Sequence, residues 1–136
     1  MSLVLAFLSY AALSGGSQTA AQPAPVAAAE IDAAAAARQF MTLLDAQNWE
    51  ASYRATGKSF QSVNTQATWA EVSEKVRTPL GAMHSRHLLS SDYVPAPEGY
   101  WFVKFRTDYA NKTGVIETLS LAKEDGSWKV VGIMID

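Results

Sequence analysis

The fold of this chain is decided by residues 100–135, which read YWFVKFRTDYANKTGVIETLSLAKEDGSWKVVGIMI. Apolar and polar side chains alternate over residues 100–109 and again over residues 115–123, and a period of two is typical of half-buried strands. Residues 128–135 are apolar on both faces, as in a strand that is covered on both sides. The segment therefore predicts three consecutive antiparallel strands.

The dipeptide Asp125-Gly126 sets the predicted register, because Asp-Gly supplies the two positive-φ positions of a type I′ turn. This turn predicts three facing pairs in the last two strands: Leu121 with Val130, Leu119 with Gly132, and Glu117 with Met134. A five-residue loop over Ala110–Gly114 predicts three more pairs in the first hairpin: Val103 with Leu121, Phe105 with Leu119, and Thr107 with Glu117. Both hairpins place the same apolar residues on one core face: Val103, Phe105, Leu119, Leu121 and Val130.

One carboxylate, Glu117, also lies on the predicted core face. A buried carboxylate needs a partner or a raised pKa. Arg86, two strands away, is about 9–10 Å from it between backbones, a gap that two long side chains can bridge. Glu117 is therefore either part of an ion pair, in the core or at the rim of the sheet, or a lining residue of a pocket. The candidate pocket residues are Glu117, Arg86, Thr107, Tyr109, Tyr53 and Met134.

Helical patterns precede the strands. Apolar residues recur at helical spacing over Ile31–Ala46, which predicts a first helix. A second, short helix is expected over Trp49–Ala55, with Asn48 as its N-cap and Gly57 as its stop.

A third helix is predicted to begin at the capping box Thr68–Glu71 and to end before Pro79. Its inward residues would be Trp69, Val72 and Val76. Ser85–Val94 is the expected first strand of the sheet. Three helices on a curved four-stranded antiparallel meander make a cone-shaped α+β domain, and the mouth of the cone is a natural ligand site.

Composition excludes several classes of function. Thirteen acidic and eleven basic residues give a net charge of −2, without the basic stripe that nucleic-acid binding requires. Thiolate metal sites, thiol nucleophiles and disulfides are excluded, because the chain has no cysteine. His84 and His87 fall on opposite faces of a strand, so we expect no metal site. We expect no cofactor, since phosphate-loop and dinucleotide fingerprints are absent from the sequence.

The N-terminal segment is expected to direct export. Leu3–Leu13 is an apolar run of eleven residues, too short to span a bilayer, and small residues follow it up to Ala21, as in a signal peptide. We expect residues 1–21 to be a cleaved signal peptide, 22–30 a disordered Pro/Ala linker and 31–136 a single periplasmic or secreted domain. The alternative is a buried or disordered tail. A lipoprotein anchor is excluded, because no cysteine follows the apolar run.

Five sequence elements carry a family resemblance: Trp69, Arg77–Gly81, Arg86, Glu117-Thr118 and Glu124–Gly132. Together they resemble the bacterial secreted proteins grouped as domain of unknown function 4019. The likeness extends from Ala33 to Ile135, and the architecture is similar to the nuclear-transport-factor-2-like and cystatin-like folds. The resemblance implies a fold and an exported location, but no activity, because these folds host isomerases, dehydratases and non-catalytic modules.

Two classes of function follow from these residues. The first, which we expect, is a non-catalytic module that binds a small molecule or a protein through its cone or its outer sheet face. Homodimerisation is the simplest use of that face, whose expected apolar strip is Phe102, Val131, Ile133 and Ile135. The second is a small isomerase, lyase or hydrolase that uses Glu117 as its cavity carboxylate.

Overall fold

A computed structural model describes residues 24–136, so the predicted signal peptide and residues 22–23 lie outside the described residues. The helices are α1 (Ala24–Asp45), α2 (Trp49–Arg54), α3 (Lys58–Gln61) and α4 (Gln66–Arg77), and a 3-10 turn (Thr78–Leu80) follows them. The strands are β1 (Met83–Val94), β2 (Tyr100–Tyr109), β3 (Lys112–Glu124) and β4 (Ser127–Ile135). The α+β class is confirmed, because the helices precede one antiparallel sheet of strand order β1-β2-β3-β4.

Helix α1 begins at Ala24 instead of Ile31, so residues 24–30 of the predicted disordered linker are helical. Alanine has the highest helix propensity, and Pro25 is tolerated in a first helical turn. None of the helices within residues 24–136 has the length and the apolar character needed to cross a membrane. The helix packs on the sheet through buried residues on one face: Ala33, Ala37, Phe40, Met41 and Leu44.

The residues described contain four α-helices instead of the three predicted. Helix α2 lies where expected, and the Asn48 side chain caps it by accepting a hydrogen bond from the amide of Ala51. Gly57 does not simply stop α2, because it is also the N-cap residue of the unpredicted α3. Its amide donates to the carbonyl of Val130 at 2.9 Å, which covers part of the outer edge of β4.

The predicted start of α4 is wrong, and of its three predicted inward residues only Trp69 is buried. Thr65, not Thr68, is the N-cap: its hydroxyl accepts a hydrogen bond from the Thr68 amide at 3.1 Å. Val72 and Val76 are 49% and 39% exposed. The residues that face inward are spaced by four, as on one helical face: Trp69, Ser73 and Arg77.

The turn between β3 and β4 is confirmed. Asp125 and Gly126 both have positive φ, of 51° and 83°, as a type I′ turn requires. Leu121 pairs with Val130 as predicted.

A β-bulge beyond that pair changes the register of β4. Ser120 pairs with Gly132, which leaves Val131 as the extra residue. Leu119 therefore pairs with Ile133 and not, as predicted, with Gly132. Every residue of β4 after the bulge changes face relative to the prediction.

Because of the bulge, two predictions about the end of β4 are wrong. Glu117 pairs with Ile135 instead of Met134, and Met134 is 64% exposed. Ile133 and Ile135 pack against the core clusters, so they do not lie on the outer face. The predicted outer apolar strip is therefore wrong in two of its members.

The hairpin between β2 and β3 turns more tightly than predicted. Tyr109 pairs with Lys112, so the turn is Ala110-Asn111, and a bulge with Gly114 at φ 71° follows it. The pairing is shifted by two residues from the predicted one: Val103 with Leu119, Phe105 with Glu117, and Thr107 with Val115. An even shift keeps each residue on its face, and the predicted core residues are all buried.

Candidate functional site

Glu117 is fully buried, and both of its carboxylate oxygens are hydrogen-bonded. Its Oε1 accepts from the Thr107 hydroxyl at 2.7 Å and from Arg86 Nη2 at 3.4 Å. Its Oε2 accepts from the Tyr109 hydroxyl at 2.8 Å and from Arg77 Nη1 at 2.9 Å. The carboxylate therefore has four donors around it, two of them on cations.

Arg86 is held by a second carboxylate, that of Asp45 at the end of α1. The guanidinium and the Asp45 carboxylate form a bidentate pair with distances of 2.7 and 2.9 Å. Arg86 Nε also donates to the Thr107 hydroxyl at 3.0 Å, and Nη2 donates to the Tyr109 hydroxyl at 3.1 Å. This fork geometry fixes the arginine in one orientation.

We refer to these six side chains as the buried polar cluster: Asp45, Arg77, Arg86, Thr107, Tyr109 and Glu117. Two carboxylates face two guanidiniums, so the formal charges cancel. Such a cluster is stable in a low-dielectric interior only when each member is hydrogen-bonded. Here the two hydroxyl groups act as bridges, since each accepts from an arginine and donates to Glu117.

The cluster shifts the ionisation of its members. Burial opposes the charge on Glu117, but the Thr107 hydrogen bond, the Arg77 charge and the Tyr109 hydrogen bond together outweigh burial and lower its pKa. Burial raises the pKa of Tyr109 to about 12, and the charge of Glu117 adds to the increase. Burial alone would lower the pKa of Arg86, but its bonds to Asp45 raise it. Glu117 is therefore ionised and Tyr109 neutral at neutral pH.

The turn between α4 and β1 brings Arg77 to the sheet. Gly81, at φ 79°, ends the 3-10 turn, in a region of φ that a glycine adopts without strain. The Asn111 side chain donates to the Pro79 carbonyl at 3.0 Å, and the Ala110 amide donates to the Ala82 carbonyl at 2.7 Å. The β2–β3 turn thus fixes the position from which Arg77 reaches Glu117.

The structure brings four of the six predicted pocket residues together: Glu117, Arg86, Thr107 and Tyr109. Tyr53 lies apart from them in α2, where its hydroxyl donates to the Asn64 carbonyl at 2.6 Å. Met134 is turned away by the bulge in β4.

Sequence reasoning missed Asp45 and Arg77 as members of the cluster. Asp45 falls within the predicted first helix without being singled out, and Arg77 was noted only within a family motif. The helical spacing contains a signal for both, because residues four apart share a face. Asp45 lies four residues after the buried Met41 and eight after the buried Ala37. In α4, Arg77 lies eight residues after the buried Trp69.

A separate open groove of about 410 Å³ lies between α1 and the β3–β4 hairpin. We call it the α1–hairpin groove. Phe40 and Val130 are buried at its floor, and Lys123 Nζ lies 5.8 Å from the centre of the Trp128 ring. On the β1 side of α1, a second groove of about 210 Å³ is lined by residues that include Arg38, Met83 and Leu88.

A family model described as "Protein of unknown function (DUF4019)" matches residues 36–133, which is more than half of the chain. No curated protein matches the chain. The matched residues include the whole buried polar cluster.

Proposed function

The chain belongs to the DUF4019 family of proteins of unknown function, and we propose that it acts as an exported, non-catalytic binding module. The observation that carries this proposal is the saturation of Glu117, whose two oxygens have four intramolecular donors. A general base needs a pKa near the working pH and contact with a substrate proton. Glu117 has a lowered pKa and is fully buried, so the cluster is better suited to fixing the fold than to catalysis.

Ligand binding is assigned to the α1–hairpin groove. Its volume of about 410 Å³ falls within the range of small-molecule sites, which combine an apolar lining with a few polar groups. A groove between a helix and an open antiparallel sheet is also what a nuclear-transport-factor-2-like or cystatin-like cone would offer. This finer fold assignment is part of the proposal.

Export is proposed from the sequence of residues 1–21, where an apolar run is followed by small residues. Homodimerisation through the outer sheet face also stays a prediction, with a changed set of residues. The observed register places Phe102, Ile116 and Met134 on that face.

The catalytic alternative and the binding module differ in the behaviour of Glu117. We expect a carbon-detected NMR titration of the full-length protein to give a Glu117 pKa below the ordinary value of about 4.3. Because Arg77 and Thr107 contribute to the lowering, the pKa should rise in Arg77→Met and in Thr107→Val. The Arg106→Met variant is the control, since Arg106 pairs with Asp108 on the outer face. A Glu117 pKa above the ordinary value, unchanged by these substitutions, would favour the enzyme.

A further inference from the structure

The two edge strands of the sheet, β1 and β4, differ in how their outer edges are covered. The outer edge of β4 is partly covered, because Thr56 forms a parallel bridge with Val130 and the Gly57 amide donates to the Val130 carbonyl. The outer edge of β1 has no backbone partner within residues 24–136. Its amide and carbonyl groups are therefore available to a strand of another chain.

Strand β1 also lacks the features that usually protect an exposed edge. It is 12 residues long, whereas natural edge strands are often very short, and it contains neither lysine nor proline. Five large hydrophobic side chains of β1 are 37–51% exposed: Met83, Leu88, Leu89, Tyr93 and Val94. Accessible apolar surface along an unpaired edge is typical of a site of association.

A β-bulge divides β1 into two halves at Leu89, which has no partner in β2. The extra residue changes the alternation of faces in the second half of the strand. His87 pairs with Arg106 and therefore lies on the outer face of the sheet. Asp92 pairs with Phe102 and lies on the same face, although it is an odd number of residues from His87. One half of β1 thus carries an imidazole, and the other half a carboxylate, on the same face.

The two halves are complementary to each other under a two-fold axis. When two copies of β1 run antiparallel with the axis just after Leu89, His87 of each copy faces Asp92 of the other. Residues that face each other must lie on the same side of the sheet, and this register meets that condition. On the core side, Leu88 of each copy faces Ser91 of the other.

The bulge limits the possible registers to those with the axis beside it. Shifting one strand by two residues also matches the faces, but it places His87 opposite Ser90 and Asp92 opposite Ser85. An imidazole opposite a carboxylate is the more favourable cross-strand pair, because it donates a hydrogen bond to a negative charge. Charge complementarity therefore selects the register with two pairs of His87 and Asp92.

We propose that the free edge of β1 binds β1 of a second copy of this chain, in the antiparallel register that pairs His87 with Asp92 twice. The dimer has a continuous sheet of eight strands, four from each copy. Its two-fold axis is perpendicular to the sheet, so the helices of both copies lie on one side and the outer sheet face stays free. The groove of about 210 Å³ on the β1 side of α1 adjoins its symmetry mate at the axis.

Sedimentation velocity of the full-length protein over a concentration series measures the dimer. We expect a micromolar dissociation constant, because a paired strand with its flanking side chains makes a small interface. Leu89→Lys places two ammonium groups beside the axis and should weaken dimerisation about tenfold or more. Val72→Lys is the matched control: Val72, on α4, is 49% exposed and Leu89 is 51% exposed, and this variant should dimerise like the natural protein.

Exchanging His87 and Asp92 tests the register. His87→Asp alone brings two carboxylates together in each symmetric pair, so it should weaken the dimer. His87→Asp combined with Asp92→His restores both pairs in reverse order, and the dissociation constant should return to that of the natural protein. Both side chains are exposed, so the fold of each copy does not depend on them.

Disulfide formation gives a direct measure of the same register, because the natural chain has no cysteine. A mixture of the His87→Cys and Asp92→Cys proteins should form a covalent heterodimer, since facing Cα atoms lie about 4.5–5.5 Å apart, within reach of a disulfide. Each protein alone should remain uncrosslinked, because identical positions lie several residues apart. Lys104→Cys, on the outer face beside Thr118, reports a dimer formed through that face instead.

The outcomes separate this dimer from the proposed function. A natural protein that stays monomeric up to about 1 mM would overturn the inference. A dimer that is unchanged by Leu89→Lys, or that crosslinks through Lys104→Cys and not in the mixture, would overturn it in favour of the outer face. A dimer that weakens in Leu89→Lys and crosslinks in the mixture supports it. The α1–hairpin groove and the assignment of Glu117 are independent of each of these results.

Discussion

The buried polar cluster and the α1–hairpin groove are built on the same helix but use charge in opposite ways. In the cluster, at the end of α1, Asp45 and Glu117 are paired with two arginines. In the groove, along the preceding turns of α1, Lys123 has no carboxylate within salt-bridge distance among the described residues. Saturated charges hold elements together, whereas unpaired charges beside an apolar surface are available to a ligand.

The buried polar cluster and the α1–hairpin groove also constrain the sequence in different ways. Each member of the cluster depends on the others, since removing one leaves a buried group without its partner. Lys123 of the groove can be replaced without leaving a buried partner behind. The following substitutions test this difference, beginning with the one that should have the largest effect.

The largest loss of stability is expected from Arg86→Met. This change removes the bidentate partner of Asp45 and a donor to Glu117, and leaves the buried Glu117 and the half-buried Asp45 facing one guanidinium. Breaking a buried pair in this way costs about 3–5 kcal/mol, measured as the change in the free energy of unfolding in urea. The control is Arg106→Met, whose exposed pair with Asp108 should contribute less than about 1 kcal/mol. Equal losses in the two variants would mean that the cluster is no more than a set of surface pairs.

A smaller loss is expected from Tyr109→Phe, which keeps the ring and removes the hydroxyl. The hydroxyl donates to Glu117 and accepts from Arg77 and Arg86, and hydrogen bonds to charged groups contribute about 1.5–3 kcal/mol. Tyr100→Phe is the control, because Tyr100 lies on the outer face near Phe102. A loss of less than about 0.5 kcal/mol would show that the bridging hydroxyl is dispensable.

Tyr109 also leads to a prediction about the stability of the protein at alkaline pH. Burial and the charge of Glu117 raise the pKa of Tyr109 to about 12, from about 10 in the unfolded chain. The unfolded state therefore loses its proton first, so the contribution of Tyr109 is complete below about pH 10 and is lost as the pH rises toward 12. Urea unfolding between about pH 9 and 11 should show a steeper fall in stability for the natural protein than for Tyr109→Phe. Parallel curves would contradict the raised pKa.

The β3–β4 hairpin, which forms one wall of the groove, allows a test of intermediate size. Gly126 has a φ of 83°, and a side chain in this left-handed region costs roughly 1–2 kcal/mol. Gly126→Ala should reduce the free energy of unfolding by about that amount. Gly132→Ala is the control within the same hairpin, because an added Cβ there would meet Ser120 at an ordinary 3.6 Å. If both variants lose the same stability, the turn conformation is not the cause.

The core face of the sheet could be predicted from the sequence because the error in the predicted β2–β3 register was an even number of residues. The β2–β3 pairing was shifted by two residues, which leaves Val103 and Phe105 on the same side. The bulge at Val131 was not predictable in this way. Residues on both sides of the bulge are apolar, so no change in polarity marks the position where the strand changes face.

Part of the buried polar cluster was also predictable from the alternation of side chains along the strands. Glu117 was found because a carboxylate interrupts an apolar face, and Thr107 and Tyr109 follow from strand alternation. Asp45 and Arg77 lie at the ends of helices, where a charged residue is ordinarily exposed. Helical spacing puts both residues on the inward face of their helices, but it does not specify the tertiary arrangement that pairs Asp45 with Arg86 of β1 and Arg77 with Glu117 of β3.

The smallest effect is expected from Lys123 of the groove, and it completes the comparison. The substitution Lys123→Met should change the free energy of unfolding by less than about 0.5 kcal/mol, because surface changes away from buried networks are close to neutral. A loss of stability approaching that of Arg86→Met would mean that Lys123 is structural, and the contrast between the paired charges of the cluster and the unpaired charge of the groove would then fail. Unchanged stability in Lys123→Met beside a large loss in Arg86→Met would show that the charges of the cluster hold the fold together, whereas the charge at the groove does not.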